Sequence, residues 1–440
     1  MKRTTFIKSA LSGLLLPSQV NGFSLRVLAE SSWLQSLGGS TEEGRILVLI
    51  QLSGGNDGLN MVIPLDYYGA YIGARSNIAI PQNKLLPLNG FTEVGFNPAM
   101  SELQHLFNEG KMNIVQGVGY PKPNFSHFRA TDIWLTGADA DQVLTTGWAG
   151  RYLNQEYTGF PENYPNRIMP DPLAIQVGSI VSPALQGPSL TMGMAISNTS
   201  SFYNLVNGVI SPVPESRAGD QIGYIRQMAE KTDSYSGIIK KAAQKVKQQS
   251  LKYPDPGKNP LADQLKIVAR LIAGGLQTRI YVVNMGGFDT HAKQTDAGDT
   301  TSGVHAKLLG KLSVAVDAFM DDLIMLNIAD RVIGMTFSEF GRRIKSNASG
   351  GTDHGAAAPV LIFGNKVNSG ITGTNPILPM LATDNDNINM QYDFRSIYAS
   401  LLKDWFRVEH GESRKILFND YPILPIIEIG SDKAKKISPS

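Results

Sequence analysis

Apolar positions along this chain fall into two kinds of run. Ile46–Leu52 is continuous and of strand length, with Gln51 its one polar member, the pattern of a strand buried on both faces. Met112–Val118, Leu173–Val177, Thr278–Asn284, Arg331–Phe337 and Pro359–Phe363 read the same way. Between them, apolar residues recur at helical spacing in Pro98–Asn108, from about Ser126, in Asp220–Ser250, Leu261–Leu276 and Val304–Leu326, and in Asp393–Trp405 as the final helix. This alternation predicts an α/β fold, a three-layer sandwich whose mostly parallel sheet carries helices on both faces. Ser179–Gly219, rich in Ser, Pro, Gly and Asn, reads as an insertion or lid placed over the sheet. The expected domain is 45–429, after a leader (1–30) and a linker (31–44) and before a tail (430–440).

Composition narrows the chemistry. The 440 residues carry a formal net charge of +2, which gives no footprint for nucleic acid or an anionic membrane. There is no cysteine, so disulfides, thiolate zinc sites and a cysteine nucleophile are excluded. Any metal must be held by carboxylate and imidazole, and the six histidines are His105, His127, His291, His305, His354 and His410. The start, MKRTTFIKSALSGLLLPSQVNG, places Lys2, Arg3 and Lys8 around a short apolar run, a targeting pattern. Arg3-Thr4-Thr5-Phe6-Ile7-Lys8 resembles a twin-arginine export signal with Thr4 in the second arginine's place. The expectation is an exported, periplasmic or cell-surface protein. No later segment is long and apolar enough for a membrane span.

Three of the strand-like runs end alike, in a glycine-bearing turn with an acid: Leu52 to Asp57, Asn284 to Asp289 and His291, and Phe337 to Glu339. In a parallel sheet these acids share the carboxyl edge, where ligands and catalytic groups collect. Carboxylate with imidazole is the donor set of catalytic zinc or manganese sites. Asp57 has three readings: metal ligand, partner of a distant basic side chain, or turn cap. His354 precedes the run Pro359–Phe363, so it enters from the opposite edge unless that strand is antiparallel or the turn folds across.

The segments SGGNDGLN, GGFDTH, SEFGRR and TDHG before PVLIFG, spread over Arg45–Trp405, resemble the exported bacterial family of unknown function numbered 1501. That family is similar to the alkaline phosphatase and sulfatase superfamily. The resemblance implies an alkaline-phosphatase-like fold and a divalent metal, zinc or manganese, with Asp57, Asp289, His291, Glu339 and His354 as ligands. Phe340 stands where many superfamily members have a histidine, which implies one tightly held ion in place of a pair. It also implies a nucleophile at a helix start after the second strand. Ser126 fits best, with Thr131 and His127 next, and an ordinary N-cap is the alternative for Ser126. Arg129, Arg342 and Arg343 are candidates to hold an oxyanion. The implied function is a metal-dependent hydrolase acting on a small anionic phosphate or sulfate ester. The other class is a binding or assembly protein that keeps the fold with part of the site lost.

Overall fold

Side-chain alternation along Ile46–Ser53 (β1) divides the core into two halves. Ile46, Val48, Ile50 and Leu52 enter one cluster and Leu47 and Leu49 the other, none more than 2% exposed. Burying each such side chain contributes roughly 2 kcal/mol, so the strand anchors both faces. The computed structural model describes residues 19–20, 23–24, 44–196 and 235–429. It divides into two compact units, Met1–Gly44 and Arg45–Ser440. In the first, Gln19–Val20 pairs antiparallel with Phe23–Ser24; the rest of the expected leader lies outside the described residues.

In the second unit β1 is joined by Met112–Gly119 (β2), Ala174–Val177 (β3), Gly193–Ile196 (β4), Ile280–Gly286 (β5), Val332–Phe337 (β6), Ala358–Phe363 (β7), Gly370–Thr372 (β8) and Tyr392–Asp393 (β9). They form one sheet in the order β8-β2-β7-β6-β1-β5-β3-β4, with β9 beside β2. All pairs are parallel except those of β7, which runs antiparallel to β6 and β2.

One face is covered by Ser101–Asn108 (α2), Pro260–Ala273 (α5) and Val304–Met325 (α6) through Leu103, Leu265, Leu312 and Phe319. The other is covered by His127–Thr136 (α3), Trp148–Glu156 (α4) and Phe394–Ser400 (α7), where Tyr398 stacks on Trp148 and meets Trp134 edge to face. A shorter helix, Tyr68–Ala74 (α1), belongs to a third small cluster with Ile344 and Ala357. The molecule is therefore an α/β protein with a mostly parallel central sheet and helices on both faces.

Several boundaries differ from the sequence expectation. The helix expected over Asp220–Ser250 is helical over 235–245 and has ended by 246, while 220–234 lie outside the described residues. Asp393–Trp405 is helical but not final, because His410–Leu417 (α8) follows. Within Ser179–Gly219, the apolar run at Gly193–Ile196 joins the sheet as edge strand β4 rather than lying over it; 197–219 lie outside the described residues. Two features went unread. Val62–Pro64, Leu86–Leu88 and Phe91–Phe96 form a small antiparallel sheet. Arg342–Ser346 pairs with Thr352–His354 as a hairpin directly after β6. Among the described residues no helix is long and apolar enough to cross a membrane.

Candidate metal centre

The turns after β1, β5 and β6 meet at the carboxyl edge of the sheet. Gly54 has φ +122, and a Cβ there would lie 2.3 Å from the backbone nitrogen of Asp289. Glycine thus lets the turn after β1 touch the turn after β5. The Gly54 N–H donates to Glu339 Oε1 (2.9 Å), which joins in the turn after β6. Because β7 is antiparallel, the hairpin strand Thr352–His354 that precedes it arrives at this same edge. The topology so resolves the difficulty over His354.

Three imidazoles surround the Asp289 carboxylate. Its Oδ1 lies 3.1 Å from His291 Nε2 and 3.3 Å from His354 Nε2, and its Oδ2 lies 3.4 Å from His127 Nε2. His291 Nε2 and His354 Nε2 are 2.8 Å apart. Each ring is turned by an acceptor on its other nitrogen. His127 Nδ1 is 2.8 Å from Glu339 Oε1, His291 Nδ1 is 3.1 Å from Asp353 Oδ1, and His354 Nδ1 is 2.7 Å from the Phe125 carbonyl oxygen. The acceptor at each Nδ1 favours the tautomer with its N–H there, which turns the Nε2 lone pairs inward. Two ring nitrogens 2.8 Å apart beside a carboxylate share a proton in an N–H···N bond or turn toward a common cation.

The spacing fits such an ion. Ligands about 2.0–2.1 Å from a tetrahedral zinc are roughly 3.3 Å from one another, close to the contacts around Asp289. His127, Asp289 and His354 offer donor atoms all within 4.8 Å of one another.

Electrostatics keep Asp289 charged. Burial raises its pKa, but the Arg342 guanidinium at 2.7 Å, with His291 and His354, outweighs that and holds the carboxyl below its usual range. For His354, burial acts first and lowers the imidazole pKa; nearby Arg342 and His127 add to this, against the Phe125 carbonyl and Asp289. Phe340, 2% exposed, packs its ring 4.4 Å from His354 and 5.0 Å from His127, centroid to centroid, and braces both.

The remaining candidates fall elsewhere. Asp57, 1% exposed, takes Arg75 Nη1 on both oxygens (2.9 and 2.8 Å) and Gln294 Nε2 on Oδ2 (2.6 Å). It sits at the same edge of the sheet but has the distant basic partner, and it is not among the groups around Asp289. Burial raises its pKa, and Arg75 and His305 bring it below the ordinary carboxylate value. Glu339 is beside the cluster, with one oxygen occupied by Gly54 N–H and His127 Nδ1. It fixes the orientation of the His127 ring. Ser126 caps α3 without a side-chain hydrogen bond to the helix; it lies between Phe125, which holds His354, and His127. Arg129 is turned away, bound to Asp132 and to the carbonyls of Asp139, Ala140 and Gln142. Arg342 is buried, spanning the Gly54, Gly55, Phe288 and Thr352 carbonyls as well as Asp289. Arg343 lies over the Phe125 ring, its carbon 4.9 Å from the centroid. His127 and Asp353 were not read as part of the metal set. The signal for His127 was its place at the first position of the helix that Ser126 caps.

Fold and site together define an α/β protein with a carboxylate–imidazole cluster at the carboxyl edge of its sheet. Residues 217–414 match the model of the family described as "Protein of unknown function (DUF1501)", so the resemblance carried by GGFDTH, SEFGRR and TDHG is shown over that span. The comparison with curated proteins gives no match. Among solved structures, the chain is similar to a protein in the alkaline phosphatase superfamily from Vibrio parahaemolyticus, at 10% identity and TM-score 0.37 over 82% of this chain and 67% of that one. It is also similar to the lipoteichoic acid synthase LtaP from Listeria monocytogenes, at 9% identity and TM-score 0.36 over 86% and 76%. A third is the C-terminal periplasmic domain of EcEptC from Escherichia coli in complex with Zn, at 10% identity and TM-score 0.32 over 73% of each chain.

Proposed function

We propose that this chain is a metal-dependent hydrolase of phosphate or sulfate esters, built around one divalent ion held by His127, His291, His354 and Asp289. Zinc or manganese suits the donors, imidazole with one carboxylate. The observation that carries the reading is the set of His127, Asp289 and His354 donor atoms within 4.8 Å of one another, with His291 Nε2 3.1 Å from the same carboxylate. A divalent ion there supplies Lewis acidity, which lowers the pKa of a water or hydroxyl and neutralises charge on a departing oxygen.

The chain's own groups do the rest. Glu339, Asp353 and the Phe125 carbonyl orient the imidazoles, and Arg342 holds Asp289 ionised. Ser126, at the start of α3, is the candidate hydroxyl nucleophile, placed where a helix N-terminus favours an oxyanion. Small anionic esters are the substrate class, and export to the periplasm or cell surface goes with the leader pattern.

Elemental analysis of purified protein should give about one equivalent of zinc or manganese, lost together with turnover in Asp289→Ala and His354→Ala. Ser126→Ala should keep the metal and lose turnover of p-nitrophenyl phosphate or sulfate. A protein without metal that turns over neither substrate sinks the hydrolase reading. That result would favour a binding or assembly protein, a reading supported by Phe340, which fills with a hydrocarbon ring a place beside His127 and His354.

A further inference from the structure

A cleft of about 690 Å³ opens at the same sheet edge, walled by α3, by the ends of β1, β3 and β5, and by residues 178–183. Thr131 and Leu135 line it and follow His127 by one and two turns on one face of α3, roughly 6 and 12 Å further along the axis. Gln51 and Asn284, register partners on β1 and β5, form part of its wall. Asn284 donates to Ser53 Oγ (2.7 Å), one residue before the Gly54 N–H that holds Glu339. The cleft thus lies along the strand ends beside the helix that begins at His127, and its volume is that of a small-molecule site.

Its chemistry is specific. Carboxamides from Gln51, Gln176, Gln264 and Asn284 contribute to the polar wall, and among the described residues no Lys, Arg or His lines it. The one ionisable group among the described lining residues, Asp263, has an oxygen taken by the Gly257 N–H (2.8 Å). Gln264 is fixed on both sides by the Asn284 backbone, donating to its oxygen (2.9 Å) and accepting from its nitrogen (3.1 Å). A wall without cations does not recruit a second anionic group. A purely apolar guest leaves the Gln51 carboxamide, which has no protein partner among the described residues, without one, a costly arrangement. Hydroxyls, which donate and accept as carboxamides do, satisfy it, and Leu135, Val177 and Pro183 offer an apolar surface for the C–H face of a ring.

We propose that this cleft is the leaving-group subsite and takes a neutral, hydroxyl-rich group, a saccharide of about two rings. The inference rests on the hydrolase reading for its role as a leaving-group site; the binding itself does not depend on it. Saturation-transfer NMR on the purified protein, with cellobiose and maltose as probes and benzyl alcohol as control, tests it. Transfer to the ring protons of at least one disaccharide is expected, at least ten-fold weaker in Thr131→Trp and in Gln51→Leu and unchanged in His354→Ala. Thermal melts identify a variant that fails to fold, and the other variant then decides.

No transfer to either disaccharide, or transfer indifferent to both cleft variants, overturns the proposal. So does transfer to benzyl alcohol alone. Turnover of aryl esters without disaccharide binding removes the subsite and leaves the hydrolase standing. Disaccharide binding with neither metal nor turnover removes the hydrolase reading and the leaving-group role, and leaves a saccharide site.

Discussion

At the scale of single residues, the proposed site separates groups that would face an ion from groups that aim them. Glu339 belongs to the second kind, since its Oε1 accepts from Gly54 N–H and from His127 Nδ1. Glu339→Ala should weaken zinc binding about 10–100-fold, and Glu339→Gln, which retains the acceptor, should recover most of it. A Gln variant as damaged as the Ala variant in a competitive chelator titration would make Glu339 a ligand itself. His305 yields a second prediction. It is fully buried and bonded through Nε2 to Asn56 Oδ1 (3.0 Å). Burial drives its pKa down to about 4 from 6.5, against the pull of Asp57. Below pH 6.5 the unfolded chain takes a proton that the folded chain refuses, so stability falls as pH drops from 6.5 to about 4. The loss is on the order of 3 kcal/mol. Urea midpoints measured in EDTA should drop over this window in the parent protein and drop less in His305→Gln; equal slopes would contradict the assignment.

At the scale of elements, the long central strands were legible, while the short strands and the connections were not. Apolar runs mark β1, β2, β5, β6 and β7 because strands buried on both faces need no polar alternation. The direction of β7 leaves no trace in such a run, although it decides which edge His354 reaches. Asp57 shows the same gap: its partner Arg75 is eighteen residues on, delivered by the end of α1, whose packing depends on Ile344 and Ala357 far downstream. His127 escaped because acids after strands drew the reading, whereas its position depends on the start of a helix. The glycine turns were legible as turns, and their role can be tested. Gly54→Ala would force a Cβ to 2.3 Å from Asp289 N, whereas Gly90, also at positive φ (+84), has open space around it. Both substitutions should cost roughly 1–3 kcal/mol in backbone strain. Only Gly54→Ala should also weaken metal binding, and parallel losses in the two variants would show that the contact between the turns does not position Asp289.

At the scale of the whole molecule, the cluster joins parts of the chain that no single element connects. His127 comes from the start of α3, Asp289 and His291 from the turn after β5, and His354 from the hairpin before β7. The two core clusters already hold the sheet on both faces, so the fold does not depend on the ion for its existence. Four inward-facing donors without a cation nevertheless crowd lone pairs and a carboxylate together, and an ion that binds the folded chain alone relieves this. By linkage, zinc at about one hundred times its dissociation constant should raise unfolding free energy by about 2.7 kcal/mol, seen in calorimetry as a melting point several degrees higher than in EDTA. His354→Ala should abolish the increment while keeping a cooperative transition, since its ring contributes to the cluster and not to either core. Asp57→Asn should do the reverse. Breaking a buried pair costs about 3–5 kcal/mol, so that variant should melt lower in both conditions, yet still gain stability when zinc is added. A zinc increment that survives His354→Ala, or vanishes in Asp57→Asn at a temperature where that variant is folded, would put the ion on the Asp57 side of the sheet edge and reassign its ligands.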